Sequence, residues 1–185
     1  MYKHLYNCFK HWYHGGTIYF YSDPHFDDAE MENIRHITAD EQVKLINKRL
    51  SKNDTIVILG DIGNPEYLKK IRAGYKVLVL GNHDAGATIY KDYVDEVYEG
   101  ILMISDKLML SHEPIIGFPF AYNVHGHDHG NRTKGVLHGL NVCAEVIRYT
   151  PVCIKNIIES GELKHVDNIH RITIDKATEN KRKRK

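Results

Sequence analysis

The sequence predicts an α/β fold, and three observations carry that reading. The first half alternates strand-like and helix-like segments. Two of its strands, TIVIL (55–59) and YKVLVL (75–80), are apolar enough to be buried. The second half is rich in short strands, which makes the expected sheet system mixed.

The elements follow in order. Leu5, Cys8, Phe9 and Trp12 recur at helical spacing, and Gly15-Gly16 stops the pattern, so residues 1–16 read as an amphipathic helix laid on the body. TIYFYS (17–22) is β-branched and aromatic and reads as a strand. Thr38-Ala39-Asp40-Glu41 fits a capping box, and Val43, Ile46 and Leu50 then share one helix face. After TIVIL, NPEYLKKIRAG reads as a short helix with Pro65 near its start and Gly74 beyond its end. A polar segment with Tyr90 and Tyr93 follows YKVLVL. Strands are expected near 101–104, 107–111, 121–125 and 136–143, then a helix over 151–161 from Pro151, and a last strand at HRITID (170–175).

The chain has 185 residues, enough for one domain, placed at 17–175. No run of about 18 apolar residues occurs, so no membrane span is expected. The first residues lack the apolar core and small-residue cleavage site of a signal peptide. Cys8, Cys143 and Cys153 are few and widely spaced with no Cys-x-x-Cys, which argues against a disulfide framework or thiolate zinc site and for a cytoplasmic location. Cys143 and Cys153 read as small buried residues. The net charge of +1 hides an asymmetry: residues 176–185 hold six basic side chains and one acidic one, leaving the body acidic. That tail is expected to be solvated and disordered. Nucleic-acid binding through it is the less favoured reading.

The chemistry lies behind the strands. After TIYFYS comes Asp23-Pro24-His25; after TIVIL, Gly60-Asp61; after YKVLVL, Gly81-Asn82-His83-Asp84; after KLML, Ser111-His112; and after YNVH, Gly126-His127-Asp128-His129. In open α/β sheets ligands gather at that edge, so blocks far apart in sequence are expected to meet. Singly, Asp and Asn after a strand are ordinary turn residues. Together they form an oxygen and nitrogen donor set without thiolate, which suits divalent transition ions. The donors exceed what one tetrahedral ion needs, and two ions about 3.5–4 Å apart, sharing a carboxylate, would use them. The seven histidines outside the blocks, His4, His11, His14, His36, His138, His165 and His170, read as structural.

The ordered blocks Asp-x-His, Gly-Asp, Gly-Asn-His-Asp, His and Gly-His-x-His resemble those of the calcineurin-like metallophosphoesterases. NVCAEVIRYTPVCIKNIIE (141–159) extends the resemblance, which covers about 17 to 160. It implies two packed mixed β-sheets flanked by helices, a four-layer α/β/β/α sandwich. It also implies two divalent ions, Mn²⁺ first among Mn, Fe, Zn and Ni. Asp23, His25 and His129 would hold one ion, Asn82, His112 and His127 the other, and Asp61 would bridge them. The implied reaction is in-line attack on a phosphoester by a hydroxide between the ions. His83 would serve as general acid or imidazolium, oriented by Asp84. Asp128 is expected to support its loop.

Arg35 is a candidate for reaching a substrate phosphate, with a surface role as the alternative. Tyr122 and Asn123 are candidate pocket-lining residues, and Asn82 and His83 candidate substrate contacts. The first block departs from the relatives that continue His-Phe-Gly-His: here Phe26-Asp27-Asp28 follows His25, setting two acids near the mouth. Hydrolysis of phosphodiesters or a broad range of phosphoesters is the expected function. The alternatives are a non-catalytic scaffold of the same fold and a nucleic-acid phosphoesterase aided by the tail. Scaffold members usually lack the general-acid His or some ligands, and here all are present.

Overall fold

The computed structural model describes residues 5–167 together with Lys176, Glu179 and Lys181, which are helical and exposed. Two mixed sheets with flanking helices make the body. The first sheet contains β1 (Ile18–Tyr21), β2 (Thr55–Leu59), β3 (Tyr75–Val79), β4 (Glu96–Tyr98) and β9 (Val152–Cys153). Its order is β4-β3-β2-β1-β9, parallel except for the antiparallel β1–β9 pair. The second sheet contains β5 (Leu102–Met103), β6 (Leu108–Leu110), β7 (Tyr122–His125) and β8 (Gly139–Asn141), in that order. There β5–β6 is antiparallel, and β6–β7 and β7–β8 are parallel.

Strand alternation explains the two cores. Ile18, Phe20, Val57, Leu59, Val77 and Val79 share a cluster with Leu108, Leu110 and Val124, so these side chains join the two sheets. The intervening Tyr21, Ile56, Ile58 and Leu78 meet Val43, Ile46 and Leu50 on the outer side. Each such large side chain contributes about 1.5–3 kcal/mol when fully buried. The outer helices are α1 (Ala29–Arg35) and α2 (Ala39–Asn47). Thr38 and Glu41 form the expected capping box at the start of α2. Helix α3 (Ile154–Ser160) buries Ile154 and Ile157 in the intersheet core.

Several local expectations change. The N-terminal segment is a 3₁₀ helix over Asn7–Trp12, not an α-helix, and Cys8 is exposed while Leu5, Phe9 and Trp12 are buried. The segment from Pro65 is also 3₁₀, Pro65–Lys70, with Asn64 as its cap. Residues 151–161 are not one helix: Val152–Cys153 pairs with β1 before α3 begins. The strand expected over 136–143 narrows to Gly139–Asn141. Helix α1 and the polar edge strand β4 were not anticipated. The strand expected at 170–175 lies outside the described residues. Among the described residues no helix is long and apolar enough to cross a membrane.

Candidate metal centre

Every block lies just beyond the C-terminal end of its strand: Asp23 after β1, Asp61 after β2, Asn82 after β3, His112 after β6, His127 and His129 after β7. Both sheets thus present their carboxyl edges to one point. Backbone bonds tie the loops together. Asp23 N–H donates to Gly60 O at 3.1 Å, His25 N–H to Asp61 O at 2.9 Å, and Gly126 N–H to His112 O at 2.8 Å. Close approach explains the glycines of the motifs. A Cβ on Gly81 would strike the Asp61 side chain, and one on Gly126 would strike Ser22 and Asp23. Asp23, His25, Asp61 and His127 hold positive φ, between 45° and 66°. Left-handed backbone at a non-glycine residue costs about 1–3 kcal/mol and persists only where the surroundings enforce it.

The side chains converge in two groups. In the first, Asp23, His25 and His129 bring ligand atoms within 4.8 Å of one another; in the second, Asp61, His112 and His127 do the same. Asp61 Oδ2 lies 3.7 Å from His25 Nε2 and 3.5 Å from His112 Nε2, between the groups. Asn82 Oδ1 joins the second, 2.8 Å from His112 Nε2 and 3.1 Å from His127 Nδ1.

The donor chemistry fits cations. Asp23 Oδ1 and His25 Nε2 are buried with no hydrogen-bond partner. A buried carboxylate oxygen without a partner is costly, and a metal ion would supply the missing contact. His112 Nδ1 lies 2.8 Å from the Leu59 carbonyl, which can only accept, so Nδ1 carries a proton; in the neutral ring Nε2 then presents its lone pair. That lone pair faces the Asn82 oxygen and His127 Nδ1, the latter at 3.1 Å. Such crowded acceptors suit a shared positive charge. His129 repeats the logic: Nδ1 donates to Glu145 Oε1 at 3.0 Å, and Nε2 faces Asp23 Oδ1 at 3.6 Å. The hydrogen bond to Glu145 raises the His129 pKa from its ordinary value, while burial lowers that of His25.

The other candidates fall elsewhere. His83 is exposed, donates its backbone N–H to Asp61 Oδ1 at 3.0 Å, and sets its ring 5.9 Å from that of His25. Asp84, expected to orient His83, instead accepts from the backbone N–H of Asp61, Ile62 and Gly81 and from the Tyr90 hydroxyl, at 2.8–2.9 Å. It locks the 60–62 loop to the 81–84 loop. Arg35 is neither at the surface nor open to substrate: its side chain is 2% exposed and held by protein acceptors. Tyr122, at the start of β7, is buried in the intersheet core and does not line the site. Asn123 is buried on its own strand, bonded to Ser111 and Ile115. The two acids at the mouth have structural partners: Asp28 caps α1 and Asp27 accepts from Asn64. Asp128 accepts from Thr133 N–H within its loop.

Two residues beside the site were missed or underread. Glu145 bonds both Arg35 and His129. Cys143, expected to be merely buried, points its thiol at Asp23 Oδ2, 3.0 Å away, and burial pushes its pKa far up, so it stays a neutral donor. Glu145 stands in the NVCAEV stretch, but nothing local in that stretch marks it as a partner of His129.

Fold and site together define a two-sheet α/β protein whose strand ends carry two candidate Asp/His metal-ligand groups. The chain belongs to the calcineurin-like phosphoesterase family, whose model matches residues 16–183. Among solved structures, a protein of unknown function from Aquifex aeolicus, AQ665, is 26% identical, with a TM-score of 0.63 over 77% of this chain and 98% of that one. The Pseudomonas putida nuclease MPE is 21% identical, with a TM-score of 0.45 over 60% of this chain and 61% of that one. No curated protein matches the chain.

Proposed function

We propose that the protein hydrolyses phosphoesters, phosphodiesters foremost, with two divalent transition-metal ions, Mn²⁺ being the first choice and Fe, Zn or Ni the alternatives. The observation that carries this reading is the position of Asp61 Oδ2, buried between imidazole nitrogens of both ligand groups at 3.5 and 3.7 Å. Asp23, His25 and His129 would hold one ion and Asn82, His112 and His127 the other. When bound, such a pair lowers the pKa of water and offsets charge on phosphoryl oxygens.

The chain's own groups do the rest. Asp84 fixes the loop that carries Asn82 and His83. His83 stands exposed beside His25, free to give a proton to a leaving oxygen or to stabilise it as imidazolium. Arg35 is occupied by protein acceptors, so the cradle of free guanidinium groups that a dianionic monoester would favour is not provided by that residue. That favours a monoanionic diester.

The test strips the protein with a chelator, restores Mn²⁺, and compares bis-p-nitrophenyl phosphate with p-nitrophenyl phosphate. Manganese-dependent turnover with the diester preferred is expected. No turnover, with no metal retained on elemental analysis, would refute the proposal and favour the scaffold reading.

A further inference from the structure

The two candidate ligand groups resemble each other at the atoms that would face a cation and differ one step further out. His112 leans its outer nitrogen on a neutral backbone carbonyl, Leu59 O. His129 leans its outer nitrogen on a carboxylate, Glu145 Oε1. That same oxygen accepts from Arg35 Nε at 2.6 Å. The guanidinium also grips the carbonyl oxygens of Pro24 at 2.8 Å and Asp23 at 2.9 Å, and its Nη2 lies 3.4 Å from His129 Nδ1. Glu145 reaches this place because its segment is pinned to the end of β1: Ser22 bridges Cys143, and Ala144 N–H donates to Ser22 O at 3.0 Å.

We propose that Glu145 is a positioning residue which, with Arg35, makes the Asp23–His25–His129 position the tighter of the two metal positions. The proposal rests on the two-ion reading above. Three physical effects point the same way. A carboxylate on the outer nitrogen fixes the tautomer and ring orientation of a ligating histidine and raises its basicity. Glu145 also neutralises Arg35, a buried cation that would otherwise repel a metal ion beside it. Arg35, so neutralised, can hold the 23–24 backbone carbonyls and keep Asp23 and His25 in their left-handed conformations. Among the described residues the second group has no comparable charge pair behind His112, whose outer nitrogen meets the Leu59 carbonyl. Glu145 is 110 residues from Arg35 in sequence, so the pair also clamps α1 to the closing segment.

The chelator-stripped full-length protein is titrated with Mn²⁺ by calorimetry, with elemental analysis of the loaded protein. The wild type should take two ions with unequal affinities. Glu145→Gln keeps the shape and removes the charge. It should weaken the tighter ion by about 10–100-fold, the usual cost of losing a supporting partner, and leave the weaker one unchanged. Glu145→Asp restores charge with a shorter reach and should recover part of the loss. Thermal unfolding of the metal-free variants separates this from loss of fold. Equal weakening of both ions, no change in either, or two equal affinities in the wild type would each overturn the proposal. A wild type that takes no ion would instead show that the two-ion reading had failed first.

Discussion

Two polar clusters sit at opposite ends of the parallel strands of the first sheet, and they are built on opposite rules. At the amino end, Glu96 at the head of β4 accepts from His11 at 2.5 Å, Trp12 at 2.9 Å, Tyr75 at 2.7 Å and Tyr98. Both of its oxygens have partners, and Oε1, with three donors, ties the N-terminal 3₁₀ segment to the sheet. At the carboxyl end, Asp23 Oδ1 and His25 Nε2 are buried and left without partners. Both clusters mix carboxylate with histidine. What separates a structural cluster from a candidate functional one is the unmet bonding capacity, not the composition.

The contrast can be broken or sharpened by mutation. The largest effect is expected from Asp61→Asn, which removes the carboxylate shared by both ligand groups. Metal-dependent turnover should fall by more than the roughly hundredfold that losing a supporting residue costs. The metal-free variant should unfold no earlier than metal-free wild type, because a buried charge has been removed. Phosphodiester assays paired with thermal melts would check both halves. A marked loss of metal-free stability would mean that Asp61 holds the fold as Glu96 does.

Glu96→Gln is the mirror experiment. It puts an amide donor among donors, and stability should fall by about 1–3 kcal/mol while activity is retained. Acid sensitivity should change as well. Burial raises the Glu96 pKa, but the four hydrogen bonds outweigh it and hold it below its ordinary 4.5. A folded pKa below the unfolded one stabilises the protein above about pH 4.5 and loses that contribution as pH falls through the folded value. Denaturant melts from pH 6 to 3 should therefore show a shallower acid decline in the variant.

Gly81→Ala probes how tightly the site end is built. The new methyl meets the Asp61 side chain and backbone nitrogen, and about 1–3 kcal/mol of destabilisation is expected, as for other overpacked positions. Impaired metal binding should accompany it. The smallest effect belongs to Thr38→Ala, remote from both clusters. Losing the cap of α2 should cost about 1 kcal/mol and leave turnover unchanged. Urea denaturation and the diester assay suffice for these two.

Much of the candidate site was legible in the sequence, because each ligand is announced by its own strand and turn. The convergence of the five blocks follows from the rule that parallel strands bring their carboxyl ends together, whereas the division of their residues between two ions rested on the family resemblance. The supporting residues were not legible. Arg35 and Glu145 act across 110 residues, and nothing local in ENIRHI or NVCAEV says that the guanidinium turns inward. Asp84 looked like a partner for the neighbouring histidine because adjacency is visible in a sequence, whereas the backbone N–H groups that occupy it are not. In the fold, the apolar strands β2 and β3 were plain. The edge strand Glu96–Tyr98 was hidden, because its pairing with β3 is set by tertiary context and its side chains are only half-buried. The choice between 3₁₀ and α at Asn7–Trp12 and Pro65–Lys70 was likewise beyond hydrophobic spacing, which both helices satisfy over one or two turns.

The left-handed backbone at Asp23, His25, Asp61 and His127 has a consequence for how this chain can evolve. Outside glycine, that conformation is tolerated best by Asn, Asp and His. Coordination of a borderline metal by oxygen and nitrogen donors favours much the same alphabet. With the metal coordination proposed above, two independent filters overlap at these positions and confine drift to a few letters. Asparagine for aspartate should yield folded but metal-poor proteins. Valine or isoleucine should be eliminated by the backbone before coordination is tested at all. A saturation library scored separately for folding and for metal content would show the two filters removing nearly the same residues.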